Sequence, residues 1–104
     1  MKPPDRFREA LETLKYECPL PVPVTVQRVK IRDFGDCDLR TRKDGSKAFV
    51  VRVNTRMSKV QQVDVLIHEW SHALAWSEDP AVDAHGPDWG VAYARCYQAV
   101  TGVR

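Results

Sequence analysis

The 104 residues, 11.9 kDa in mass, suffice for one compact domain (1–104) and are too few for two. Apolar residues make up 43% and charged residues 29%, which argues against a largely disordered chain. No stretch approaches the ~20 apolar residues of a membrane span, and the opening MKPPDRFREALETLKYE lacks a signal-peptide core, so a cytoplasmic protein with no membrane association is expected. A net charge of +2 and a pI of about 8.5 are weakly basic, below the pI above ~9 of a dedicated nucleic-acid binder, so charge alone argues neither for nor against DNA.

From Pro4 to about Tyr16, Phe7, Ala10, Leu11 and Leu14 recur at helical spacing, and Asp5 can cap the start. The segment CPLPVPV then alternates Pro19, Pro21 and Pro23, which removes backbone donors along one side and predicts a solvent-facing strand edge. Val22, Val24 and Val26 share one parity while Val29 and Ile31 take the other, so a strand over 22–32 implies a bulge near Gln27. Next, Cys37, Leu39 and Thr41 alternate with polar residues, as do Phe49, Val51 and Val53, and Asp44-Gly45 between the two runs marks a hairpin. The expected sheet is three-stranded and mostly antiparallel.

Ser58 with Gln61 forms a capping box, and Val60, Val63, Leu66, Ile67, Trp70, Ala73 and Leu74 form one stripe, predicting a helix to about Trp76. The turn-rich SEDPAVDAHG ends it. Pro87 opens a last helix with the stripe Trp89, Tyr93, Cys96, Tyr97 and Val100, closed by Gly102. Cys18, Cys37 and Cys96 are odd in number, far apart and in no CxxC pair, which predicts reduced, partly buried thiols rather than disulfides.

The chemistry lies in HEWSH, residues 68–72. His68 and His72 are four apart on the predicted helix, so both can reach one metal ion, and Glu69 beside them can touch a water on that ion without ligating it. This is the pattern of a zinc metallopeptidase, in which Glu69 acts as the general base. A catalytic zinc takes a third protein ligand, and the only other histidine is His85, with Glu78, Asp79 and Asp83 as substitutes. The metzincin pattern is disfavoured because Ala75 and Glu78 stand where it needs Gly and His. Asp83 and Asp88 are candidates to orient a ligand imidazole, and Tyr93 is a candidate oxyanion donor. Arg40, Arg42, Lys43, Lys47 and Arg52 could form a basic face on the hairpin, although a solvated sheet face is the plainer reading.

The segments VLIHEWSHALA and DAHGPDWGVAYARCYQAVTG resemble the SprT-like metallopeptidases, relatives of the DNA-protein-crosslink protease Spartan. The resemblance implies a small zincin-like α+β domain: an N-terminal helix, the three-stranded sheet, the HExxH helix and a C-terminal helix. It carries over His68, His72 and His85 as Zn2+ ligands and Glu69 as general base, acting on protein or peptide substrates. It also points to the strand at 48–54 as the cleft edge on which substrate would add as a further strand. The cysteine-rich zinc ribbon of larger members has no counterpart after Gly102, so the resemblance implies peptidase chemistry more than a particular substrate, and only weak DNA association. Competing readings are a regulatory peptidase acting on one repressor-like partner and a non-catalytic binding module in which zinc pins the His85 loop. The latter needs a fourth protein ligand, such as Cys37 or Cys96.

Overall fold

The computed structural model describes residues 5–102, and Pro4, the expected start of the first helix, lies outside them. The elements in chain order are α1 (Arg6–Glu17), β1 (Val24–Val29), β2 (Gly35–Thr41), β3 (Lys47–Asn54), α2 (Lys59–Leu74) and α3 (Pro87–Thr101). Local chemistry sets the ends. Asp5 accepts from the Arg8 N–H at the start of α1, and Ser58 and Gln61 complete both halves of the capping box on α2. Gly102 closes α3 at φ 70°, in the left-handed region that costs glycine nothing.

The sheet is mixed, with β3 in the centre and the order β1-β3-β2. β2 and β3 form the expected antiparallel hairpin, but β1 runs parallel to β3, so one of the two pairings is antiparallel and the other parallel. The reason lies at the far end of β3. The five residues between β1 and β2 pass over that end, where the Asn54 amide donates to the Ile31 and Asp33 carbonyls, both at 3.0 Å. The Asn54 and Thr55 N–H groups donate to the Phe34 and Val29 carbonyls and finish the crossing. The bulge expected near Gln27 is absent, for the register from Val24↔Phe49 to Val29↔Asn54 is unbroken. Parity is kept because Arg28, not Val29, takes the helix-facing position, its guanidinium 4.4 Å from the Phe7 ring centre.

A central β3 also overturns the expectation that substrate could add to residues 48–54, since both of its edges are already hydrogen-bonded. The free edges belong to β1, which follows the alternating prolines, and to β2. Asn54 N–H donates to Phe34 and Arg42 N–H to Ser46. By the antiparallel alternation the even-numbered residues of β2 pair inward, leaving backbone groups of Gly35, Cys37, Leu39 and Thr41 facing outward. At the hairpin, Gly45 has φ 88° and its N–H donates to the Arg42 carbonyl, while Asp44 accepts from Ser46 and keeps negative φ. The turn is therefore a three-residue loop with glycine in the left-handed position.

The helix α2 lies on the sheet, and α1 and α3 pack against α2 and against each other. Leu66, Ile67 and Trp70 of α2 are buried against Val51 and Val53, with Phe7 and Leu14 of α1 and Cys96 of α3 closing the core. Each such fully buried side chain contributes roughly 1.5–3 kcal/mol relative to exposure. Trp70 also donates its indole N–H to the Cys18 carbonyl at 2.9 Å, tying the end of α1 to the middle of α2. Val60, expected in the α2 stripe, is 69% exposed because it lies in the first turn, short of the core. The cysteines are free thiols, Cys18 and Cys96 buried and Cys37 half-buried.

Candidate metal centre

Helical spacing places His68 and His72 on the side of α2 that faces α3, while Val65 and Glu69 form the adjacent row facing the start of β2. The loop of residues 75–86 brings His85 to the same point. That loop is held by its own short side chains: Ser77 accepts from the Asp79 N–H, Asp79 from Ala81, and Asp83 from His85. Asp83 thus fixes the backbone that presents His85 and does not orient an imidazole. Glu78 points away, 3.8 Å from Lys47, and Asp88 is exposed in the first turn of α3.

The three Nε2 atoms converge. His72 lies 3.1 Å from both His68 and His85, and His85 lies 3.4 Å from His68. Nitrogens held tetrahedrally at the usual zinc distance of about 2.0–2.1 Å are separated by about 3.3–3.4 Å, so the triangle matches what such an ion requires. With each ring protonated on Nδ1, the three Nε2 lone pairs would meet a cation at one point. Among the described residues these three histidines form the one group of potential ligands, with no cysteine or carboxylate joining them. The arrangement is that of a metal site offering three protein ligands. Both helical histidines are held as neutral donors: burial first, then the neighbouring imidazoles, pushes His72 down to about 4, and burial and His85 lower His68.

Trp89 forms the wall behind the triad. Its ring centre is 5.1 Å from His68, 5.6 Å from His72 and 4.9 Å from His85, and its indole nitrogen is 3.5 Å from the His68 carbonyl. Tyr93 stacks on its far side at 5.0 Å, and Tyr97 on Tyr93 at 6.0 Å. Tyr93, the candidate oxyanion donor, lines the same cavity as His68 and Glu69, whereas the sequence marks Trp89 only as part of a core stripe; its place four after His85, at the start of a helix, is the signal that could have set it apart.

Glu69 is 8% exposed, and burial, reinforced by Asp36, raises its carboxyl to about 7. It shares with His68 a cavity of about 380 Å³ whose other walls are Phe34, Gly35, Asp64, Val65 and Tyr93. Gly35 makes this arrangement possible. A Cβ there would stand 2.5 Å from Val65 Cγ1 and 2.7 Å from the Arg52 carbonyl oxygen, so only glycine lets α2 lie this close to β2. A glycine opening a strand was the available clue. Of the hairpin cations weighed as a basic face, Arg40 pairs with Asp38, Lys47 with Glu78, and Arg52 with Asp36.

A mixed sheet covered by helices, with two histidines one turn apart on the central helix and a third converging from the following loop, defines a zincin-like domain. The SprT-like family model matches residues 11–104, and the chain belongs to that family. No curated protein and no solved structure gives a significant match to it.

Proposed function

We propose that this protein is a zinc-dependent endopeptidase that hydrolyses extended protein segments, with His68, His72 and His85 holding the ion and Glu69 acting as general base. One observation carries the reading: three converging Nε2 atoms, 3.1–3.4 Å apart, open on the side where a nearly buried carboxylate of raised pKa lines a cavity. When bound, zinc supplies Lewis acidity, acidifying a water molecule and polarising the peptide carbonyl. Glu69 takes the proton of the attacking water and delivers it to the departing amine nitrogen, a task suited to a carboxyl that titrates near neutrality. The outward backbone groups of β2, beginning at Gly35 beside Glu69, offer an extended substrate the pairing that β3 cannot. The triad having no fourth protein ligand among the described residues favours catalysis over a purely structural zinc.

The test is Glu69→Gln. Zinc content and melting temperature should stay near wild type while cleavage of an unfolded protein falls by a factor of at least about 10². Undiminished cleavage by this variant would remove Glu69 from the mechanism.

A further inference from the structure

The end of the sheet at which β3 turns towards α2 is built around one buried amide, that of Asn54. Its side chain donates to the Ile31 and Asp33 carbonyls and accepts from the Arg56 N–H, each at 3.0 Å. The Asn54 and Thr55 N–H groups donate to Phe34 and Val29, and the Gln62 amide donates to the Met57 carbonyl at 2.9 Å. Segments 30–34 and 55–59 are thereby held side by side. Lys30 and Arg32 on the first, and Arg56 and Lys59 on the second, are exposed, and none of the ion pairs among the described residues includes them. Asp33 is the only carboxylate in either segment. Four cations on an ordered backbone thus face solvent together. The first segment runs straight into the free edge of β2 at Gly35, and Phe34 between them rims the cavity that Glu69 lines.

We propose that this platform docks an acidic stretch of a protein substrate, a few residues away from the bond to be cut. The proposal rests on the peptidase reading above and names its substrate class. Lys59, the first residue of α2, lies about 15 Å along the helix axis from Glu69. About four or five residues of an extended chain span that distance, which sets the interval between the acidic stretch and the scissile bond. Charge complementarity selects an anion, and two features select a peptide over a nucleic acid. The unpaired charge stops at the platform, since Arg28 next to it is paired with Asp5 and Arg52 with Asp36. A short run of acids fits such a patch, whereas a strand of regularly repeating phosphates finds no continuation. Beyond its acids, a peptide can also go on to pair its main chain with the outward backbone groups of β2, which a sugar-phosphate strand cannot do. Because the loops are already held by Asn54, little ordering of the platform itself opposes binding.

Binding can be read without turnover. In the zinc-loaded Glu69→Gln protein, fluorescence anisotropy would compare three labelled peptides that share a neutral half of Gly, Ala and Ser and carry a run of Glu, Gln or Lys in the other half. The Glu peptide should bind about tenfold or more tighter than the Gln peptide near physiological salt, and the Lys peptide more weakly than either. Adding Arg32→Glu and Arg56→Glu together should bring the Glu-to-Gln ratio to about one or below. Arg42→Glu with Lys43→Glu changes the net charge by the same amount at the hairpin tip and should leave the ratio intact. A ratio near one before these changes, or an equal loss from both pairs of changes, overturns the platform. Single-stranded DNA that binds as tightly as the Glu peptide and depends equally on Arg32 and Arg56 overturns the choice of a peptide. A wild-type digest of an unfolded protein separates this inference from the activity on which it rests. Cuts clustered a few residues from acidic runs support both. Cuts placed without regard to such runs overturn the docking surface and leave the peptidase standing. Absence of cuts, with the Glu preference and its dependence on Arg32 and Arg56 intact, removes the peptidase reading and keeps the platform as a peptide-binding surface.

Discussion

Trp89 touches all three imidazoles at once, so its removal should be felt in metal affinity even though it offers no ligand atom. Trp89→Ala should weaken zinc about 10–100-fold in competition with a chromogenic chelator, the range seen when support around a metal ligand is lost, and Trp89→Phe should lose less. His85→Ala should cost more than either, since it leaves two protein ligands, yet the fold should persist because His85 sits on an exposed loop. A full equivalent of tightly held zinc in His85→Ala would show that this histidine is not a ligand. Gly35 gives the opposite kind of residue effect. An added methyl would meet the Arg52 backbone, which cannot swing aside, so Gly35→Ala should destabilise by about 1–3 kcal/mol. Thermal unfolding would show this as a fall of about 4–8 °C for each kcal/mol, and an unchanged midpoint would mean that β2 and α2 separate more easily than the packing implies.

Among the elements, α2 carries most of the proposed function: it supplies two ligands, the base and the Asp64 side of the cavity, while its buried row of Leu66, Ile67 and Trp70 anchors the core. Its first turn extends past that core, as the exposure of Val60 shows, and depends on the capping box for its order. Ser58→Ala removes the acceptor for the Gln61 N–H and should cost about 1 kcal/mol. Because the histidines lie more than two turns away, zinc affinity at 25 °C should be unaffected; a parallel loss of affinity would indicate that α2 frays as one unit. The element β2 does two things at once, closing the sheet on one side and bringing its free edge to Glu69, and both follow from β1 having taken the other side of β3.

At the scale of the molecule, the pairing of the hairpin cations bears on the proposal that DNA association is weak. Three of the hairpin cations are matched to carboxylates, leaving Arg42 and Lys43 near the turn without an ion pair among the described residues. Each phosphate neutralised on duplex DNA contributes about 0.9 to the slope of log affinity against log salt, so a few such contacts should fade across the physiological range. A titration near 0.15 M salt should accordingly give a Kd weaker than about 1 µM for single- and double-stranded DNA. Sub-micromolar binding there would reveal a basic surface beyond the hairpin. No helix of the described residues is long and apolar enough to cross a membrane.

Features that depend on residues close in sequence are legible in the sequence alone: the helix stripes, the Ser58 capping box, the Asp44-Gly45 turn, and a pair of histidines one turn apart with a carboxylate between them. Each is a matter of backbone period and local hydrogen bonding, which a linear pattern records directly. The third histidine of the cluster is reachable from sequence only because His85 is the last one left and because the surrounding segment resembles a known family; its convergence with His68 and His72 to 3.1–3.4 Å is a product of how α3 and the loop before it pack on α2. The order of the strands is not legible, since alternation shows which face a residue takes and nothing of which neighbour it pairs with; the tertiary structure shows it, with the Asn54 amide holding the crossing segment. The burial that lifts Glu69 to about 7, the closeness of α2 to Gly35 and the cavity they border likewise belong to packing, because desolvation and clash depend on atoms distant in the chain.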